Sequence, residues 1–137
     1  MIIDPVAAIR QLCLQTDTTA QLVGTRVYVY DLPQAEVNTM PRKALVIRGA
    51  GGGMNQGYMQ IASPRIDFWS YGETEFECGK LDLAVLELLH NLTRVAVNGM
   101  IINNAFLSGG SYLAKEAETG WPIIIRSAII NVSIQTI

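Results

Sequence analysis

Residues 59–94 read "MQIASPRIDFWSYGETEFECGKLDLAVLELLHNLTR", a strand-like run that breaks at Gly72 and passes at once into a helix-like run. In the second half of the strand Ile66, Phe68 and Ser70 fall on one face, and Arg65, Asp67, Trp69 and Tyr71 on the other. Thr74 with Glu77 three residues later forms a T-x-x-E capping box, which predicts a helix from Thr74 to Arg94. Glu73, Glu75 and Glu77 crowd its start, where the helix dipole favours anions, and His90 and Arg94 stand near its end. Leu81, Val85, Leu88, Leu92 and Val95, widened by Ala84 and Leu89, make a broad apolar stripe. Such a stripe needs a sheet face to bury it, so the rest of the chain is expected to supply the sheet.

Working outward, Asp4-Pro5 is an N-cap followed by proline at the first helical position, and Val6, Ile9, Leu12 and Cys13 mark the helix's apolar face. A second short helix through Leu22-Val23 ends at Gly24. Arg26–Tyr30 is a β-branched and aromatic strand, and Asp31–Pro41 reads as a loop. Lys43–Gly49 is a strand apolar on both faces, as a central strand should be. The glycine-rich run from Gly49 to Gly57 lacks the Lys-Ser/Thr pair of a phosphate loop, and a strand follows it where a dinucleotide motif needs a helix. A flexible hairpin arm over Gly51–Gly57 fits it better.

Beyond the long helix, Asn98-Gly99 between apolar runs predicts a tight hairpin. Asn104–Leu107 continues the extended structure, Tyr112–Lys115 begins another piece, and Trp121–Ile137 is the last strand. On that strand Ile124, Ala128, Ile130, Val132 and Ile134 share a face with one exception, Arg126. The expected order is α-α-β-β-β-α-β-β-β in one domain spanning 1–137. The fold class is α+β: an antiparallel or mixed β-sheet with the long helix and a short N-terminal helical pair packed on one face, plus a glycine-rich hairpin arm.

Charged residues make up only 16% of the 137, against about 25% in typical globular domains, and mean hydropathy is +0.26. A surface so poor in charge points to extensive contact with other chains. A net charge of -2 argues against nucleic-acid binding as a primary affinity. The N-terminal sequence lacks a basic, signal-like segment, and no apolar run approaches the roughly 20 residues of a membrane span. Cys13 and Cys78 read as buried thiols in a reducing compartment. The charges are also segregated: Arg42, Lys43, Arg48 and Arg65 fall in a stretch without acids, and Glu73, Glu75 and Glu77 open an acidic one. Opposite-signed sides suit head-to-tail association in a ring.

Catalytic chemistry finds no support. His90 is the single histidine, so no zinc site assembles at the usual spacings. Asp82 and Glu87 are five apart and share no helix face, and Ser108 and Ser111 have no identifiable base. No catalytic, cofactor or metal residue is expected.

The succession of features resembles the tail-completion, or tail-terminator, proteins of long-tailed bacteriophages, also described as head–tail joining proteins. The similarity runs through most of the chain: the N-terminal helix and its follow-on (Asp4–Val23), Val29-Tyr30-Asp31-Leu32-Pro33, and Ala44-Leu45-Val46-Ile47 before a glycine-rich turn. It continues in Arg65-Ile66-Asp67-Phe68-Trp69-Ser70 directly before the main helix, the Asn-Gly turn after it, and the long closing strand. Pro64 and the apolar run Trp121–Ile125 depart from the pattern, and Pro64 implies a bulge or an edge. The resemblance implies a structural virion protein, assembled in the host cytoplasm. It implies a ring, hexameric in such families, that ends the tail tube and joins the tail to the neck. Partners would be other copies, the tail tube protein and neck or connector proteins, with DNA passing through the lumen without specific binding, and no membrane. The expected contact residues are Arg42, Lys43, Arg48 and Arg65 against Glu73, Glu75 and Glu77, with the arm residues Gly51, Gly52, Gly53, Met54, Asn55 and Gln56. The alternatives are a neck adaptor or stopper, and a small-molecule-binding α+β domain with an apolar pocket.

Overall fold

The computed structural model describes residues 5–53, 61–97, 100–107, 110–116 and 119–134. Its elements are α1 (Pro5–Gln15), α2 (Asp17–Val23), β1 (Val27–Val29), α3 (Gln34–Val37), β2 (Ala44–Gly53), β3 (Ile61–Tyr71), α4 (Glu75–His90), β4 (Val95–Val97), β5 (Met100–Leu107), β6 (Tyr112–Lys115) and β7 (Pro122–Ile134). The strands form one mixed sheet in the order β1-β2-β3-β7-β5-β4, with β6 also on β7. Among the described residues only the β1–β2 pair is parallel. The α+β class is as the sequence reads.

The junction that organises the chain is built as its residues dictate. Thr74 caps α4 by accepting a hydrogen bond from the Glu77 N–H at 3.3 Å. The Glu77 carboxylate reaches back one residue further than a simple capping box, accepting from the Glu73 N–H at 2.8 Å. Gly72 sits so close beneath this turn that a Cβ there would lie 2.8 Å from the Glu77 Cβ and 2.9 Å from the Cys78 nitrogen. Only a residue without a side chain lets β3 turn directly into α4.

α4 buries Leu81, Val85, Leu88 and Leu89 on the sheet face carrying Leu45, Ile47, Ile66, Phe68, Ile102, Ala128, Ile130 and Val132. α1 closes the same core with Val6, Ile9 and Cys13. The helix ends at His90, four residues before the predicted Arg94, so Leu92 and Val95 join the core from the following turn and from β4. Gly24 stops α2 at a φ of 60°, its N–H donating to the Ala20 carbonyl at 2.7 Å. The cap residue Asp4 lies outside the described residues.

Three differences from the sequence reading have local causes. The segment expected as loop, Asp31–Pro41, contains the single-turn helix α3, which packs on the opposite sheet face. There Tyr28, Leu32 and Met40 cover Ala44, Val46, Tyr71, Ile123 and Ile125 in a second, smaller core. This second core is why both β2 and the first residues of β7 are apolar on both faces, Trp121–Ile125 included. β2 does not stop at Gly49 but runs on through Gly53, since glycine backbone pairs as well as any other: Gly52 lies opposite Pro64 and Gly53 opposite Ser63. The register slips between Gly49 and Gly52, so Pro64 sits at a bulge in an interior strand and not at an edge. Of the expected arm, Met54–Gly57 lies outside the described residues.

Finally, four strands rather than three follow α4, because Tyr112–Lys115 pairs independently with Pro122–Ile125. β3 runs along one edge of β7, and β6 and β5 share the other. Val97 lies opposite Met100, the register a two-residue hairpin requires, with Asn98-Gly99 outside the described residues.

Candidate interaction surfaces

The residues expected to make contacts are scattered over both sheet faces and differ in how far the chain itself satisfies them. Arg42 is engaged: its Nε and Nη2 donate to Glu36 Oε1 and Oε2 at 2.7 and 2.6 Å. Glu36 is buried on α3 and also accepts from the Tyr28 hydroxyl at 2.9 Å. The Arg42 hydrogen bonds, supported by Tyr28, hold the Glu36 carboxyl below the usual range despite its burial. Burial raises the Tyr28 hydroxyl, and its bond to Glu36 adds to this. Lys43 is half-buried, and its carbonyl accepts from Arg26 Nε at 2.8 Å.

Arg48 and Arg65 do come together, on the sheet face away from α4. Arg48 lies opposite Asp67 on the β2–β3 ladder, and Arg65 is two residues from Asp67 on the same face. Arg65 Nε stands 3.9 Å from Asp67 Oδ1, and its Nη2 donates to the Ser127 hydroxyl at 3.3 Å. Asn131 continues this polar band, accepting from Ser63 and donating to Asn104. Gly51–Gly53 end β2, and Met54, Asn55 and Gln56 lie outside the described residues. Glu73 and Glu75 are exposed at the start of α4, while the Glu77 carboxylate is held in the cap.

Sequence reasoning overlooked a cleft of about 320 Å³ beside Arg48, lined among others by Asp31, Leu32, Trp69, Tyr71 and Trp121. Tyr30, at a φ of 71°, turns the chain out of β1 there. The Arg48 guanidinium lies 4.1 Å above the centre of the Trp69 ring, a cation–π stack, and its Nη2 is 3.7 Å from Asp31 Oδ1. Tyr71 and Trp121 meet edge to face at 6.5 Å. Burial, with the Glu116 charge second, pushes the Tyr71 hydroxyl up to about 12, so it stays a neutral donor. Arg48 Nε and Trp69 Nε1 are both buried donors with no acceptor among the described residues. The available signal was the alternation Asp67-Trp69-Tyr71 opposite Arg48, which reads equally well as ordinary sheet packing.

A second open groove, about 300 Å³, lies between α1–α2 and the end of α4, walled by Leu12, Ala84, Leu88, Leu92 and Val95. Large apolar side chains stand in solvent nearby and beyond: Phe76 is 72% and Leu83 62% exposed on α4, and Phe106, Tyr112 and Leu113 are exposed on β5 and β6. A monomer seldom leaves so many uncovered in one small fold. Both cysteines are buried and free, with Cys13 pushed to about 12 and Cys78 to about 11 chiefly by burial. Among the described residues no three His, Cys, Asp or Glu side chains gather as metal ligands, and no helix is long and apolar enough to cross a membrane.

No protein-family model matches the chain, and no curated protein matches it. The fold does have a counterpart among solved structures, a chain of the virion of a native gene transfer agent particle. The two superpose with a TM-score of 0.69 over 93% of this chain and 92% of the other, at 14% sequence identity. At that identity the likeness is one of fold.

Proposed function

We propose that this chain is a structural subunit of a phage-like virion, assembled from identical copies into a ring at the junction of tail and head. The observation carrying this reading is the full-length fold match to a chain of the virion of a gene transfer agent particle. The exposed Phe76, Leu83, Phe106 and Tyr112 and the low charge content support it, since they suit a molecule whose surface is covered by neighbours. Within that reading the finer role is that of a tail terminator: a hexameric ring that ends the tail tube, binds tube and neck proteins, lets DNA pass through its lumen, and performs no catalysis. The test is negative-stain microscopy of the purified protein, alone and mixed with isolated tails. Six-fold rings capping one tail end are the expected result. Twelve-fold rings bound to the connector would favour a neck adaptor, and a monomer that ignores tails would overturn the reading.

A further inference from the structure

We propose that the outward ridge of α4 is a two-fold contact between two copies of this chain, the helices packing antiparallel so that Lys80 of each meets Glu87 of the other. The inference goes beyond the ring reading and does not rest on it. Phe76, Lys80, Leu83, Glu87 and His90 are all exposed and recur at spacings of four, three, four and three residues. At 3.6 residues per turn that spacing makes one narrow stripe, the kind of seam along which two helices pack. It runs on the side of α4 opposite Leu81, Val85 and Leu89, which belong to the core. The outward side of a surface helix is normally polar, yet this one presents Phe76 at 72% and Leu83 at 62% exposure. The Lys80 ammonium lies 4.7 Å from the centre of the Phe76 ring, so the lysine stem adds to the same apolar ridge.

The charges on the helix select a second copy as the occupant and fix its direction. Lys80 and Glu87 are two turns apart, about 10 Å, too far to pair within one helix. Among the described residues neither has an ion-pair partner. A parallel partner in register would set Lys80 against Lys80 and Glu87 against Glu87. A partner running the other way, about a two-fold axis between residues 83 and 84, sets Lys80 against Glu87 twice over. In that register the two Leu83 side chains meet at the axis. Glu73 and Glu75, exposed at the start of α4, approach the end of the second copy's helix, where His90 and Arg94 are exposed. The helix dipoles oppose each other, so each positive helix start lies beside a negative helix end. Phe76 comes level with Asn91 of the second copy, at the mouth of the groove walled by Leu12, Leu88 and Leu92. An isologous contact of this kind is complete at two copies, and it is separate from the head-to-tail contacts that would close a ring.

The test uses the full chain. Cys13 and Cys78 are buried, so Leu83→Cys adds an exposed thiol that lies beside its own counterpart across the axis. Mild oxidation of that variant should give a disulfide-linked dimer. Phe76→Cys is the control, because its two copies lie about 22 Å apart along the paired helices and should not cross-link. Light scattering over a dilution series reads the charges. Lys80→Glu and Glu87→Lys should each weaken pairing about tenfold, since each turns two attractions into two repulsions. The double variant should return to within about threefold of the parent. So should an equal mixture of the two single variants, in which a chain with two acids faces one with two lysines. Both positions are exposed, so the substitutions leave the core intact. Equal cross-linking of Leu83→Cys and Phe76→Cys, or self-association unmoved by either charge reversal, overturns the pairing while leaving a ring built on other surfaces standing. A parent chain that is monomeric throughout the series overturns the pairing as well.

Discussion

Asp82 and Arg126 meet fork to fork between α4 and β7, with Arg126 Nε to Asp82 Oδ1 and Nη2 to Oδ2 both at 2.9 Å and both side chains buried. Arg126 Nη2 also donates to the Ser111 hydroxyl at 3.2 Å. The hydrogen bonds it donates to Asp82 raise the Arg126 pKa further, against the opposing effect of burial. It stands on the same face as Ala128, Ile130 and Val132, where helix and sheet are otherwise joined by apolar packing.

Removing one partner should therefore hurt more than removing both. Asp82→Ala leaves a buried, uncompensated guanidinium and should cost about 3 kcal/mol in urea denaturation. Asp82→Leu with Arg126→Met should recover most of that loss. A single substitution costing below about 0.5 kcal/mol, the range of surface changes, would mean the pair is solvated.

Leu88 and Leu83 test which side of α4 meets the sheet. Leu88→Ala should cost about 2–5 kcal/mol through lost transfer energy and a cavity beside Phe68 and Val85. Leu83→Ala should stay within about 0.5 kcal/mol in the isolated chain. Equal losses at the two positions would contradict the helix orientation.

Gly72→Ala should destabilise by about 1–3 kcal/mol, since the new methyl meets the Cα–Cβ framework and backbone at Glu77 and Cys78 rather than a movable side-chain end. Thermal unfolding of the variant, with Gly79→Ala as a control at an uncrowded helix position, measures it. The control should be neutral or stabilising.

Glu36 makes stability depend on pH. Its carboxyl is depressed in the folded chain relative to an ordinary value of 4.5, so the unfolded chain binds more protons in that range. The contribution is full above about pH 4.5 and is lost as pH falls through the folded value. Urea midpoints of the parent should fall with acid more steeply than those of Glu36→Gln. Parallel curves would show that the Arg42 and Tyr28 contacts add nothing.

The sheet, the long helix and the burial of Ile66 and Phe68 were legible because alternation of period two and a stripe of period 3.6 follow directly from strand and helix geometry. Arg126 was visible as an interruption of an apolar face, but its partner was not, because Asp82 lies 44 residues away and only tertiary packing selects it. The second core was hidden for a similar reason. Leu32 and Met40 sit among Asp, Pro, Asn and Thr, which signal a loop, and their burial depends on where that segment folds back onto β2. The charge segregation was read as one basic side and one acidic side. Within the chain Arg42 pairs with Glu36, Arg65 donates to Ser127, and Glu77 is held in the cap of α4, contacts that composition cannot show.

β7 is the one strand joining the β1-β2-β3 part of the sheet to β5 and β4, and it carries β6 as well. Nothing in the ladder links those parts until residues 122–134 are in place. During synthesis from the N-terminus, the edges of β3 and β5 that pair with β7 have no partner strand until β7 is made. β7 pairs with β3, β5 and β6, so the sheet cannot be complete before residues 122–134 are made. A nascent chain halted before Pro122 should accordingly show rapid amide exchange in β3 and β5 even where the β2–β3 hairpin has formed.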